Sequence, residues 1–141
     1  MRESVEDAAR RSSASDRIIF LGNLSDVRPL LAASDLSALA STAVETFSIA
    51  MLESMAMEVP PIVTDIGGVR EAVIPGETGY IVPAGDSASL MHALAKGLRI
   101  DYQDRSFLKL MGKSSRMRAR ELFSKEEMIR DTQEILDKVV L

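Results

Sequence analysis

Apolar and polar residues alternate in blocks along this chain, and block length and period separate strands from helices. Residues 1–11 are polar and alanine-bearing, the pattern of a frayed helix end. Residues 17–21 form a short apolar run halted by Gly22-Asn23, which predicts a strand. Ser25 or Asp26 then caps a short helix through Val27, Leu30 and Leu31. Residues 35–40 are again strand-like. Over residues 45–58, Phe47, Met51, Leu52 and Met55 recur at helical spacing, until Val59-Pro60-Pro61 stops the helix. Residues 62–64 have the composition of a buried strand, and Gly67-Gly68 opens a tight turn. A helical turn follows over residues 69–74, then a turn cluster over 75–79 and a brief strand over 80–82.

Three helical periods complete the chain. Asp86 caps a helix over residues 87–98 that carries Leu90, Ala93, Leu94 and Leu98 on one face. A second helix spans 105–122 through Leu108, Met111, Met117 and Leu122, with Gly112 in its middle. Ser124 and Glu127 form a capping box that opens the last helix. There Met128, Ile129, Thr132, Ile135, Leu136 and Val139 or Val140 are expected to point inward. Strands and helices thus alternate with short connections. The expected class is α/β, a parallel sheet with helices on both faces. An all-helical packing is the runner-up, because the strands are short.

Composition narrows the chemistry. A length of 141 residues fits one domain, and 46 % apolar residues suffice for a core. The absence of cysteine excludes a disulfide framework and thiolate sites. A single histidine, His92, excludes multi-histidine metal clusters. The 4 % aromatic content, without tryptophan, argues against a stacking platform for single-stranded nucleic acid. A net charge of −4 gives no bulk attraction to nucleic acid. No apolar run is long enough to span a bilayer. A cytoplasmic location fits these features.

In open parallel sheets, ligands sit at the carboxyl ends of the strands, near helix N-termini. That rule selects residues 41–48 and 65–68. Glu45 and Glu53 stand eight residues apart, or about 12 Å along a continuous helix. This is too wide for two carboxylates acting on one glycosidic bond, and it suits an extended ligand held at two points. Carboxylates are good acceptors for paired hydroxyls. The amides of Phe47, Ser48 and Ile49 would be free donors of a first helical turn, suited to a phosphate. Gly67 and Gly68 permit close backbone approach. The plain alternative is that both glutamates are surface groups and that Phe47, Met51 and Met55 are core. His92 has no histidine partner and is read as structural or solvent-facing. Lys113, Arg116, Arg118 and Arg120 form a basic cluster, either a solvated helix face or a contact for anionic lipid.

Five ordered phrases then carry a resemblance. They are Phe20-Leu21-Gly22, Glu45-Thr46-Phe47-Ser48, Glu53-Ser54-Met55-Ala56, Thr64-Asp65-Ile66-Gly67-Gly68 with Glu71, and Gly76-Glu77-Thr78-Gly79 followed by Val82-Pro83-Ala84-Gly85-Asp86. Over residues 18–97 the chain resembles the C-terminal, donor-binding half of family 4 (group 1) retaining glycosyltransferases of the two-Rossmann-domain (GT-B) architecture. Arg120-Glu121-Leu122-Phe123-Ser124 resembles the closing segment of that family. The resemblance implies a three-layer Rossmann-like domain truncated on its N-terminal side. Residues 17–99 would be its core, and 104–141 its closing helices, within a single partial domain over 1–141.

The resemblance also implies roles. Glu45 would hold hydroxyls of the transferred sugar, and Glu53 would accept from the nucleotide ribose. Phe47, Ser48 and Ile49 would offer backbone N–H groups to the sugar or diphosphate, with Thr46, Gly67 and Gly68 shaping that loop. No metal or other cofactor is implied, because positive side chains and helix dipoles serve the diphosphate. The partners would be a nucleotide-diphosphate sugar and an N-terminal acceptor-binding domain. The isolated chain would bind donor weakly and transfer nothing. Its exposed sheet edge favours self-association. In the full-length enzyme a peripheral place at the inner membrane face is expected. Thr46 and Ser48 stand where the family has glycines, and Ala40-Ser41-Thr42 lacks its proline-serine pair. Two other readings keep the same fold: a related nucleotide-sugar epimerase or phosphorylase, and a noncatalytic regulatory domain.

Overall fold

Three short strands lie side by side and all run parallel: β1 (Ser37–Leu39), β2 (Pro61–Thr64) and β3 (Tyr80–Val82), in the order β1-β2-β3. Ala38 pairs with Ile62, and Val63 with Ile81. The computed structural model describes residues 2–43, 45–103 and 105–139. Its helices are α1 (Arg2–Arg10), α2 (Arg28–Ala32), α3 (Ile49–Ala56), α4 (Val69–Ala72), α5 (Ser87–Gln103), α6 (Arg105–Leu122) and α7 (Lys125–Val139).

The four residues of β2 are all buried, because helices cover both sides of the sheet. Successive strand side chains point to opposite faces. Val63 therefore packs with Met51 and Met55 of α3, Val69 and Ala72 of α4, and Ala119 of α6. Ile62 packs on the other face with Tyr80, Val82, Ala93 of α5 and Met111 of α6. α6 thus contributes to both clusters and ties the two outer layers together. The result is the Rossmann-like parallel α/β arrangement that the alternation of elements predicts.

Local chemistry sets the helix ends. The Ser48 hydroxyl accepts from the Met51 N–H at 3.3 Å and caps α3. At the far end, Val59 N–H donates to Ser54 C=O at 2.9 Å and Glu58 N–H to Met55 C=O at 3.1 Å. This is a Schellman motif with Glu58 in the left-handed position, φ 63°. Gly112 lets α6 lie against that turn: a Cβ there would stand 2.1 Å from the Glu58 carbonyl oxygen. Asp86 accepts from Ser89 N–H at 3.0 Å and starts α5. The Ser124 hydroxyl accepts from Glu127 N–H at 3.2 Å and starts α7. At α2 the expected cap by Ser25 or Asp26 is corrected: Val27 holds the cap position without a side-chain cap bond, while Asp26, one residue earlier, accepts from the Arg28 N–H at 3.0 Å.

Several expectations are corrected. Residues 17–21 are not a strand. They pair with no described strand, and Ile19 is 79 % exposed; an apolar run without a neighbour to complete its hydrogen bonds stays irregular. The helix expected over 45–58 starts only at Ile49, because Ser48 takes the cap. Glu45 therefore lies in the preceding loop, and the spacing drawn for a continuous helix does not apply. α5 continues past residue 98 to Gln103. The largest correction concerns α7. Met128, Ile129, Thr132, Ile135, Leu136 and Val139 are all exposed, Val139 by 77 %. The apolar period is present, but no described element packs on it. Met1 and Val140 lie outside the described residues.

Candidate functional site at the carboxyl edge of the sheet

The three strands end on one edge of the sheet, and the loops that leave them meet there. The Thr64 hydroxyl, at the end of β2, donates to the Ser41 carbonyl at 2.6 Å. The Asp65 N–H donates to the Val82 carbonyl at 2.8 Å, tying the β2 exit to the β3 exit. The Gly68 N–H donates to the Thr46 carbonyl at 2.8 Å, tying it to the loop before α3. A small cleft of about 200 Å³ opens between these loops, lined by Ala40, Thr42, Thr64 and Asp86 among others.

The glycine pair has a steric reason. A Cβ on Gly67, whose φ is 56°, would stand 1.8 Å from the Glu45 carbonyl oxygen. A Cβ on Gly68 would stand 2.9 Å from Cδ2 of Phe47. No side chain fits between the two loops, so the backbone of Glu45 and Thr46 is pressed directly onto the turn.

Around this junction the expected site residues separate into two groups. Glu45 is half-buried in its loop, and Glu53 is exposed on α3. Neither carboxylate makes a hydrogen bond or ion pair with a described residue. Ile49 and Thr46 are also exposed. Phe47 and Ser48 instead point their side chains inward. The Phe47 ring lies 5.2 Å from that of Phe123, tilted by 39°, at the margin of the α3 cluster. Ser48 is buried, with its hydroxyl engaged as the cap. Only the backbone N–H groups of 47–49 remain as donors, and none of the three donates to a described residue. Glu58 is the one described non-glycine residue with positive φ, so Thr46 and Ser48 occupy their positions without left-handed strain.

Sequence reasoning missed one feature. The Arg70 guanidinium donates to both oxygens of Asp65, at 2.8 and 2.6 Å, bridging the glycine turn. This pairing holds the Asp65 carboxyl below its usual range. Opposite charges flanking Gly67-Gly68 were the available signal. The basic cluster of α6 also divides. Arg118 turns inward and donates to the carbonyls of Ala72 and Glu71, at 2.8 and 2.7 Å, satisfying the end of α4. His92 is exposed on α5. Among the described residues no group of three or more His, Asp or Glu could hold a metal ion, and no helix is long and apolar enough to cross a membrane.

A parallel sheet covered on both faces, with its loops gathered at the carboxyl edge beside helix N-termini, defines a Rossmann-like domain. Its sequence matches the pattern of glycosyl transferases group 1 over residues 1–99, and the chain belongs to that family. It is 36 % identical over 114 residues to N-acetyl-alpha-D-glucosaminyl L-malate synthase of Bacillus anthracis, covering 81 % of this chain and 29 % of that protein. Among solved structures, a glycosyltransferase from Rickettsia africae ESF-5 superposes with a TM-score of 0.89 at 25 % identity, covering 99 % of this chain and 36 % of that one. Anabaena Alr3699/HepE in complex with UDP superposes with a TM-score of 0.86 at 26 % identity, covering 97 % and 36 %. The chain thus spans 29 to 36 % of the length of these proteins.

Proposed function

We propose that the chain is the donor-binding part of a glycosyltransferase that takes a sugar from a nucleotide diphosphate, with retention, to an acceptor hydroxyl. The observation that carries this reading is the junction of loop 45–48 with Gly67-Gly68 at the carboxyl edge of the sheet. Glu45 lies in that loop and Glu53 within α3, and neither these carboxylates nor the backbone N–H groups of 47–49 have a hydrogen-bond partner among the described residues. A diphosphate is matched by N–H donors at the positive end of a helix dipole. Glu45 accepts from hydroxyls of the sugar, and Glu53 from hydroxyls of the ribose. The amides of 47–49 face the sugar–phosphate linkage between them. Retained configuration is part of the proposal and rests on the sequence resemblance.

Reaction needs more than this site supplies. The described carboxyl edge offers no unpaired cation: Arg70 is committed to Asp65. In this reading the cations for the diphosphate come from another part of the donor domain, and the acceptor site from a second domain. The exposed apolar surfaces of residues 18–21 and of α7 are where that domain packs. The isolated chain then binds donor weakly and transfers nothing. The same exposed surfaces, with the free side of β1, make homo-association of the isolated chain the expected side effect. A cytoplasmic site for the full enzyme is part of the proposal.

The test is an NMR titration of the chain with UDP and with UDP-glucose, the ligands seen in HepE complexes. Glu53→Gln should weaken both ligands, because both carry the ribose. Glu45→Gln should weaken only UDP-glucose. Losing a hydrogen bond to a charged group costs about 1.5–3 kcal/mol, or roughly 10- to 150-fold. Micromolar affinity, near −8 kcal/mol, would overturn the weak-binding claim, and sugar transfer by the isolated chain would overturn the division of labour. No binding of any nucleotide sugar at millimolar concentration would favour a noncatalytic domain.

A further inference from the structure

The outward side of α6 carries two adjoining stripes. At about 100° per residue, Lys109, Lys113, Arg116 and Arg120 fall within one narrow sector, and Leu110 and Met117 within the next. All six side chains are exposed, Leu110 by 63 % and Met117 by 59 %. The opposite side of the helix holds Leu108, Met111, Ser115 and Ala119, which are buried against the sheet layers. The exposed stripes are therefore not a misplaced core face.

The charges are largely uncompensated. Arg116 pairs with Glu58 at 3.0 Å, whereas Lys109, Lys113 and Arg120 have no ion-pair partner among the described residues. Glu121 lies beyond the apolar stripe. An open cleft of about 560 Å³ runs along the foot of the basic sector, lined by Glu58, Lys113, Arg116, Met117, Arg120 and Glu121. The chain as a whole carries −4, so this concentration of positive charge is local to one helix face.

We infer that this face of α6 docks on an anionic lipid bilayer. Lys109, Lys113 and Arg120 sit over headgroup phosphates, and Leu110 and Met117 enter the boundary between headgroups and acyl chains. A free phosphate or a nucleic acid backbone would engage the cations alone and leave the apolar stripe in water. A basic stripe beside an apolar stripe is the pattern of a helix lying in the interface plane. α7 has more exposed apolar side chains, but its outward surface also carries Glu126, Asp131, Glu134 and Asp137, which an anionic surface repels. Attachment through three unpaired cations and two apolar side chains is reversible and weakened by salt.

The experiment is vesicle co-sedimentation of the full chain at low salt. Neutral phosphatidylcholine vesicles are compared with vesicles containing one-third phosphatidylglycerol. Binding is expected to the anionic vesicles alone. Lys113→Gln with Arg120→Gln should weaken it about 30-fold, at about 1 kcal/mol per cation. Leu110→Ser with Met117→Ser should weaken it severalfold at unchanged charge, which a purely electrostatic contact would not show. Ile129→Ser with Leu136→Ser on α7 should leave it unchanged. Circular dichroism confirms that each variant is folded; these are surface positions, and a variant that fails to fold is replaced by its single substitutions. The inference is overturned by equal binding to neutral vesicles, by binding that survives loss of the two cations, by loss only in the α7 variant, or by equal affinity for duplex DNA. Full displacement from vesicles by millimolar glycerol phosphate would assign the cleft to a soluble phosphate and overturn it as well.

Discussion

Replacing Gly112 by alanine separates two opposing terms that act on α6. Alanine is the better helix former, by about 0.8–1.0 kcal/mol in a helix interior. Its methyl group, however, would stand 2.1 Å from the carbonyl oxygen of Glu58, 3.0 Å from its carbonyl carbon and 3.4 Å from its Cα. Real Cβ atoms essentially never stand closer than 3.0 Å to such a neighbour, so α6 must withdraw from the α3–β2 turn by about 1 Å. The obstacle is backbone and cannot rotate away. Glu58 is fixed by the Schellman bonds to Met55 and Ser54, and Val59, Pro60 and Pro61 beyond it are buried. Overpacking costs about 1–3 kcal/mol, with the upper part of that range apt for an unyielding neighbour. A retreat of this size also forfeits a quarter to a half of the dispersion energy of contacts across the gap. The net expectation for Gly112→Ala is a loss of about 2 kcal/mol. That is a fall of roughly 4–8 °C in Tm for a domain of this size. Urea unfolding followed by circular dichroism measures it, and an unchanged m-value would confirm that the denatured state is not responsible. A variant more stable than the parent by the full propensity difference would refute the reasoning, since it would mean that α6 does not lie on this turn.

Three further outcomes follow from the structure. Ser48→Ala removes the cap of α3 and should cost about 1 kcal/mol in urea unfolding; a loss below a few tenths would show that the loop before α3 caps the helix by other means. Ile129→Ser with Leu136→Ser should change stability by less than about 0.5 kcal/mol per site, whereas core positions of that kind would cost about 2–5 kcal/mol each. The carboxyl of Asp26 is lowered to about 2 by the Arg28 guanidinium and N–H that it accepts from. Because the folded value lies below the unfolded 3.8, the contribution is present above 3.8 and is lost as pH falls through the folded value of about 2. The Tm difference between the parent and Asp26→Asn should therefore be present at pH 5 and shrink strongly toward pH 2, and a pH-independent difference would refute the assignment.

The sequence alone determined the elements whose signals are local. Pro60-Pro61 barred α3 from running on, Gly67-Gly68 had to turn, and Asp86 and Ser124 had to start helices, because each acts through its own backbone or that of residues within a turn of it. Alternation of short apolar runs with helical periods sufficed for a parallel sheet covered on both faces. Tertiary structure decided everything that depends on a neighbour. Residues 17–21 have strand composition yet form no strand, since a strand exists only through a partner. The α7 stripe has core periodicity yet is exposed, since periodicity names a face without naming what covers it. Arg118 left the basic cluster because the end of α4 offers it two carbonyls. The Asp65–Arg70 bridge spans a single turn, whereas the pressing of Glu45 onto Gly67 required loops from different strands to meet at one edge. Such meetings follow from three-dimensional closure of the sheet, and no local pattern along the chain encodes them.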